Sequence, residues 1–408
     1  MNIMDLLGKK MLFFDGALGT GLQTMGLAAG EEPALWNLTQ PEKLFALHSA
    51  FLAAGCDIIT ANTFGANSLK LRGTESGEII SAALGIVRRA IDASGRPAFA
   101  ALDIGSTGQF LEPFGTLPFS AAYDSYAQMV CAAVTAGADC VVVETMSDTL
   151  EMKAAVLAVK ENSDLPVFAS FSPDANGRLL MGGAMDCCAA LLEDLAVDAI
   201  GLNCGVGPAA LAPFVQELAA RSSTPLFVMP NAGLPQLRDG ASHYDVAPNE
   251  FAAQMRALIV PGVCMLGGCC GTTPEHLAKT IALCADVIPT ASQGNGKYAA
   301  SYARAVNPKE VQAVDVIPAE DAALQAAAAA GDADTLLSAA LDKMDEGAQL
   351  LRIALNLPAE QEIPLLQALI PNLQMVCPVP LCVASAHEET LKSAARVYNG
   401  ALWVEKTT

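Results

Sequence analysis

Positive charge is scarce in this sequence. Only 23 Lys and Arg stand against 43 Asp and Glu in 408 residues, a formal net charge of −20. A surface with that balance repels polyanions, which argues against nucleic acid or an anionic membrane as a partner. It places no constraint on a small zwitterionic ligand. Aromatic residues are also few, at 5%, although hydrophobic residues reach 52%. A large core is therefore expected, filled by alanine and small aliphatic side chains. Histidine occurs four times. His48 falls on an expected helix, His243 in a loop and His276 in a later helix, so surface or capping roles are expected and none is placed as a metal ligand. Uninterrupted apolar runs of membrane-spanning length are missing too. The uncharged stretch 257–274 is broken by proline and glycine and reads as a buried strand with loops. The opening MNIMDLLGKKMLFFDGALGT has its lysines after the first apolar stretch, unlike a secretory signal. A soluble cytoplasmic protein is the expectation.

Cysteine, in contrast, is abundant, with 12 residues. In a long cytosolic chain disulfides are not the first explanation. Most of these residues, Cys131, Cys140 and Cys284 among them, lie in apolar segments and are expected to be inert core. The pair Cys187–Cys188 falls at a helix start and receives no role.

The first 290 residues repeat one pattern: a short apolar or β-branched run, a polar or glycine-containing turn, then a helical stretch. The runs are 11–15, 57–63, 98–104, 140–145, 167–172, 199–204, 226–231 and 263–268. Helices are expected between them, for example over 120–136, 148–161, 208–220 and 274–285. Near-continuous apolar strands alternating with helices indicate a parallel sheet covered on both faces. Eight units in this length match a (β/α)8 TIM barrel; a doubly wound open sheet is the alternative. Barrel active sites lie at the C-terminal ends of the strands. Asp15, Asn62, Thr63, Asp103, Glu144, Asn203, Cys204, Asn231, Cys269 and Cys270 all fall there.

Cys204 ends the sixth run and Cys269–Cys270 ends the eighth, so a barrel brings the three to one mouth. Three thiolates with a fourth position open form the pattern of a catalytic zinc site. Successive side chains of a regular strand face opposite ways, so the adjacent pair needs irregular backbone, which the flanking glycines permit. Buried core, a strained vicinal disulfide and a redox pair remain open on these residues alone.

GLNCGVGP (201–208) and GGCCGTTPEH (267–276) resemble the two zinc-ligand motifs of the homocysteine S-methyltransferase family. DGALGT (15–20), TANTF (60–64), ET (144–145) and PNAG (230–233) follow the order and spacing of that family's other motifs. The resemblance covers residues 10–290, and its NTF and PNAG forms look closer to the cobalamin-dependent branch than to the betaine-dependent one. It implies Zn²⁺ held by Cys204, Cys269 and Cys270, L-homocysteine as methyl acceptor, and methionine as product. It also implies substrate roles for Asp15, Glu144 and Asn231. Glu144, with Asp15 near it, suits the ammonium; backbone N–H groups of Gly16–Ala17 and the Asn231 amide suit the carboxylate. Asp15 as a turn residue and Glu144 as an ion-pair partner are the structural alternatives. Asn62, Thr63 and Asn203 either contact substrate or satisfy backbone groups of the barrel rim.

Residues 291–310 read as a linker rich in Ser, Gly, Asn and Ala. Residues 311–408 begin a second, partial β/α series, half a barrel, with strands at 311–317, 350–355, 380–385 and 401–405. Helices are expected over 320–330, 334–347, 360–375 and 388–398. Segments 331–358 and 380–397 resemble the pterin-binding domain that follows the homocysteine barrel in the same family, but Ala354 and Ala384 stand where the family carries acidic residues. No Asp-x-His-x-x-Gly cobalamin loop occurs in the sequence. A methylcobalamin donor is then expected to arrive in trans, on a corrinoid protein or with a folate-domain partner. S-methylmethionine or another small donor is the second enzymatic reading, and a non-catalytic thiol-binding or assembly subunit is the third.

Overall fold

A computed structural model describes residues 2–71, 76–180, 182–238, 241–294 and 297–407. The chain groups into two compact units, Met1–Leu180 with Leu195–Asn295, and Met181–Asp194 with Gly296–Thr408.

The first unit is built on eight parallel strands. They are β1 (Leu12–Phe13), β2 (Ile58–Thr60), β3 (Phe99–Ile104), β4 (Cys140–Met146), β5 (Val167–Phe171), β6 (Ala199–Asn203), β7 (Leu226–Met229) and β8 (Val263–Leu266). Each falls in one of the expected runs, β4 extending one residue past its own to Met146. Their order is β1-β8-β7-β6-β5-β4-β3-β2. A parallel bridge between Phe14 and Ile58 joins the two ends. Around it the Asp15 N–H donates to Ile58 O at 3.0 Å and the Asp57 N–H to Phe13 O at 2.7 Å. This closure makes the sheet a TIM-type barrel and removes the open-sheet alternative.

Local chemistry sets the helices between strands. Asp148 caps Thr149–Asn162 by accepting the Leu150 N–H at 2.8 Å. Pro208 and Pro274 open their helices at the first turn, where a missing N–H costs nothing. His276 completes a capping box with Thr273, so its expected capping role holds.

Small residues do not fill the barrel alone. Phe14, Phe168 and Phe227 cluster on its interior, with ring centroids 5.5 Å apart for Phe14–Phe227 and 6.3 Å for Phe14–Phe168. A Cβ on Gly201 would stand 2.4 Å from the Phe227 ring, so glycine in β6 makes room for it. The N-terminal turn Ile3–Asp5 plugs the same core with Ile3. Cys140 and Cys284 are buried as expected, whereas Cys131 is exposed. Its helix, Phe119–Thr135, presents that position outward because buried Ala122, Tyr126, Met129, Val130 and Ala133 define the inner face.

The second unit carries a parallel sheet of four strands, β9 (Val314–Asp315), β10 (Leu351–Ala354), β11 (Leu381–Ser385) and β12 (Trp403–Lys406), in that order. Arg352 on β10 pairs with Asp315 at 2.7 Å and Glu405 at 2.8 Å, linking β9 and β12 to it. Leu351, Ile353, Leu381 and Val383 form a core with Leu336, Leu366, Leu369 and Leu373 from helices Ala333–Asp345 and Ala359–Val376. The stretch expected as a linker is structured in part. Ala299–Ser301 pairs antiparallel with Ala305–Val306 and with Gly400–Ala401. Ala299 packs on Leu350 and Cys382. Small side chains at 299–301 suit this close approach, and the same composition reads as a linker in isolation. Residues 295–296 of that stretch lie outside the described residues. No described helix in the chain is long and apolar enough to cross a membrane.

The expectation for His48 fails. It lies fully buried in helix Pro41–Ala54, and neither ring nitrogen has a hydrogen-bond partner among the described residues. It lines up with buried Leu44, Leu47, Phe51 and Leu52 on the inner helix face. Burial pushes its pKa from 6.5 down to about 4. The unfolded chain takes up a proton here below about pH 6.5 that the folded chain refuses until about pH 4, so stability falls as pH drops through that window. The full effect is about 3 kcal/mol. The His48→Leu variant should therefore lose less stability than the wild type between pH 6.5 and 4 in urea unfolding. Parallel pH profiles for the two proteins would refute this role.

Candidate active site

The cysteines at the ends of β6 and β8 meet. The sulfurs of Cys204, Cys269 and Cys270 all lie within 4.8 Å of one another. Three sulfurs bound to one Zn²⁺ at about 2.3 Å sit roughly 3.8 Å apart, so the set fits a single ion of that kind. Cys204 reaches the site through a left-handed backbone, φ 56°. Gly205 follows at φ 64°, and a Cβ there would stand 2.1 Å from Pro173 O. Cys269 and Cys270 lie beyond β8 in a turn closed by the Thr272 N–H onto Cys269 O at 3.0 Å. Leaving the strand frees the neighbours from alternating, and both sulfurs reach the cluster. Gly271 turns at φ 80°, and any Cβ there would strike the Tyr244 ring at 2.2 Å.

The thiols share their protons. Hydrogen bonds from Cys269 and Cys270 pull the Cys204 thiol well below its usual range, against the effect of burial. The reciprocal bonds push Cys269 up, and Cys270 rises to about 11. Asn231 bonds to the Cys204 sulfur and Tyr244 to the Cys270 sulfur. One sulfur thus gathers negative charge while two others donate to it, which is what a cation would replace.

Asn203 ties this cluster to the rest of the mouth. Its Oδ1 accepts the Thr145 N–H and the Ser170 hydroxyl, both at 2.9 Å. Its Nδ2 donates to Thr145 Oγ1 at 2.7 Å and to Glu144 Oε2 at 3.3 Å, and lies 3.9 Å from Cys269 Sγ. β4 breaks its register between Val143 and Met146, with Thr145 at φ 60°. That bulge turns Glu144 towards the mouth.

A cavity of about 360 Å³ opens beside the thiols. Asp15, Asp103 and Glu144 line it. Asp15 accepts the Thr60 N–H and hydroxyl at 3.0 Å. Asp103 is buried, and its Oδ1 has no partner among the described residues. Burial raises the pKa of all three, that of Glu144 to about 8; repulsion between the carboxylates adds to it at Asp15 and Asp103, and the charge of Cys204 adds to it at Glu144. Among the described residues no salt bridge joins any of them to a Lys or Arg. An ion pair for Glu144 is therefore not observed, and Asp15 is a buried acceptor rather than a plain turn residue.

The homocysteine S-methyltransferase family pattern matches residues 12–283. This chain belongs to the homocysteine S-methyltransferase family. It is 29% identical to a methionine synthase of Mycobacterium tuberculosis (strain ATCC 25618 / H37Rv), across 98% of this chain and 36% of that protein. It is 33% identical to a methionine synthase of Mycobacterium leprae (strain TN), across 70% of this chain and 25% of that protein. The chain thus spans only about a quarter to a third of the length of these curated relatives. The metallated crystal structure of the homocysteine methyltransferase MmuM from Escherichia coli shares the fold, with a TM-score of 0.57 and 23% identity over 69% of this chain and 98% of that one.

The residues that carry the homocysteine S-methyltransferase resemblance separate into two groups. Asp15, Gly16, Ala17, Asn62, Glu144 and the three cysteines line the cavity. Thr63, Asn203 and Asn231 do not. Thr63 Oγ1 exchanges hydrogen bonds with the backbone of Asp103, at 2.8 and 3.0 Å, and Asn62 Nδ2 donates to Pro33 O at 2.7 Å. The Ala17 N–H donates to Thr272 Oγ1 at 3.2 Å and is not free for a substrate carboxylate. Glu32, Phe64, Lys70 and Tyr244 also come to the mouth; Phe64 ends the TANTF segment without having been given a role, and no motif announced Glu32, Lys70 or Tyr244. Removing the Asn203 amide strands the Thr145 N–H and the Ser170 hydroxyl in a buried setting. Asn203→Ala should lower stability by roughly 2–4 kcal/mol, read as a lower urea midpoint, and an unshifted midpoint would show that the network is dispensable to the fold.

Proposed function

We propose that this chain transfers a methyl group to the thiol of L-homocysteine, giving methionine, with Zn²⁺ held by Cys204, Cys269 and Cys270. The observation that carries this reading is three thiols and three carboxylates facing one cavity. The chemistry such an ion supplies when bound is a lowered thiol pKa, so that the acceptor sulfur is present as thiolate at neutral pH.

The chain's own residues do the rest. Asn203 holds Glu144, Thr145 and Cys269 in one frame, and Asn231 and Tyr244 orient two of the sulfurs through hydrogen bonds. Asp15, Asp103 and Glu144 face the cavity with no Lys or Arg salt-bridged to them among the described residues. An α-ammonium entering it would relieve their mutual repulsion and favour their ionised forms. The cavity falls in the size range of small-ligand sites.

The donor in this proposal is a methylcorrinoid carried by a separate protein, the reading that the TANTF and PNAG segments support. The boundaries we propose are a homocysteine-binding barrel over 1–290 and a partial pterin-binding-like domain over 311–408. Ala354 and Ala384 face each other in register at the ends of β10 and β11 and are buried. Their methyl groups offer a pterin no acceptor, so pterin binding is not part of this reading.

The purified protein should hold one zinc per chain by elemental analysis. It should form methionine from methylcobalamin and homocysteine, with S-methylmethionine run in parallel as the competing donor. Cys269→Ala should lose the metal and at least about a hundredfold in activity. Full zinc retention in that variant refutes the ligand set. Zinc-loaded protein inactive toward every donor sinks the enzymatic reading in favour of a thiol-binding subunit.

A further inference from the structure

One buried carboxyl group beside the mouth has no part in the chemistry above. Glu151 lies in the first turn of the helix Thr149–Asn162 that follows β4, is 2% exposed, and does not line the cavity. Its carboxyl oxygens accept four hydrogen bonds. Three come from the turn after β3: the Thr107 N–H and hydroxyl, both at 2.6 Å, and the Ser106 hydroxyl at 2.8 Å. The fourth comes from the Tyr126 hydroxyl at 2.9 Å, on the helix Phe119–Thr135. The other side of the same turn rests on the cavity wall. The Gly105 N–H donates to Phe64 O at 3.1 Å, and a Cβ on Gly105 would stand 2.4 Å from the Phe64 ring, which lines the cavity. Two residues back, Asp103 is held through its backbone. Its N–H and C=O bond to Thr63 Oγ1 at 3.0 and 2.8 Å, and no described side chain donates to its carboxylate.

We propose that Glu151 is a positioning residue for the substrate ammonium: it fixes the turn after β3 and so aims the Asp103 carboxylate into the cavity. The inference rests on the proposed function, in which Asp103 is one of the three carboxylates that meet the ammonium. The other two are aimed by donors of their own. Asp15 accepts the Thr60 N–H and hydroxyl, and Glu144 accepts the Asn203 amide. Asp103 has no such donor, so its direction follows its backbone. Gly105, the link between Asp103 and the turn, has no Cβ to restrict it, so the clamp beyond it decides where the strand end points. A buried carboxyl group is costly unless its oxygens are satisfied. Glu151 is satisfied chiefly by two adjacent residues of that turn, which leaves the turn one favourable arrangement.

The test is binding calorimetry on the metal-loaded full chain with two thiols, L-homocysteine and 4-sulfanylbutanoic acid, which lacks the ammonium. Glu151→Gln keeps the shape but sets an amide N–H against the donors of the turn. It should weaken homocysteine roughly tenfold and leave 4-sulfanylbutanoic acid unchanged. Asp103→Asn should cause at least as large a loss. Adding Glu151→Gln to it should cost nothing more, because the clamp acts through that carboxylate. Tyr126→Phe removes one donor of the four. It should give a smaller loss confined to homocysteine, and it decides the matter if Glu151→Gln does not fold. An equal loss for both thiols, no loss for homocysteine, or additive losses in the double variant overturn the inference while the proposed function stands. Wild-type protein that binds neither thiol overturns both.

Discussion

Closure of the parallel barrel between Phe14 and Ile58 is the constraint on which the site depends. Without that seam the first and last strands would splay, and strand ends far apart in sequence would not share a mouth. With it, Asp15, Thr60, Asp103, Glu144, Cys204 and Cys269 come to one cavity from six strands. The seam is held by backbone hydrogen bonds and by Asp57, which accepts the Phe13 N–H at 3.1 Å and pairs with Lys10 at 3.0 Å. Below it, the Phe14–Phe168–Phe227 cluster makes the barrel a packed core rather than a pore.

The mouth is built at a cost. Buried Asp15 and Asp103, half-buried Glu144 and three thiols crowd together with no Lys or Arg salt-bridged to the carboxylates among the described residues, and left-handed backbone at Thr145 and Cys204 adds strain. Such local unfavourability is tolerable where the surroundings over-determine the geometry. Asn203, on β6, is the principal device here, since it spends its amide on four groups of β4 and β5. An arrangement unfavourable when empty is one that gains most on binding a cation and an ammonium, which is why the electrostatics and the proposed chemistry agree.

The second unit follows a different logic. Its parallel sheet has helices packed on one face, while the short antiparallel strands at 299–306 and 400–401 bring Ala299 against Leu350 and Cys382. Arg352 ties three strands through two ion pairs. These are partly exposed and individually modest, so burial of the leucine-rich face is the larger contribution to its stability.

Much of this was legible in the sequence because the relevant signals are local. Apolar runs of four to six residues mark strands, proline and aspartate mark helix starts, and polar residues directly after a run mark strand ends. The cysteine pair with its glycines announced irregular backbone at the mouth. Local signals do not say which side chain an interior face will enclose. His48 reads as an ordinary helical residue until Leu44, Leu47, Phe51 and Leu52 are seen to share its face, and Ala299 reads as linker until Leu350 and Cys382 close over it. Nor do they say how partners are allotted. The Ala17 amide looked free and is bound to a threonine 255 residues away, while Lys70, on a one-turn helix, and Tyr244, on a loop, are marked by no periodicity. The sequence alone determined the number of barrel strands, the order of the polar strand ends and the identity of the thiols. The tertiary structure decided which of those groups face the cavity, which serve the backbone and which loop residues join them, because those choices are made by contacts between segments distant along the chain.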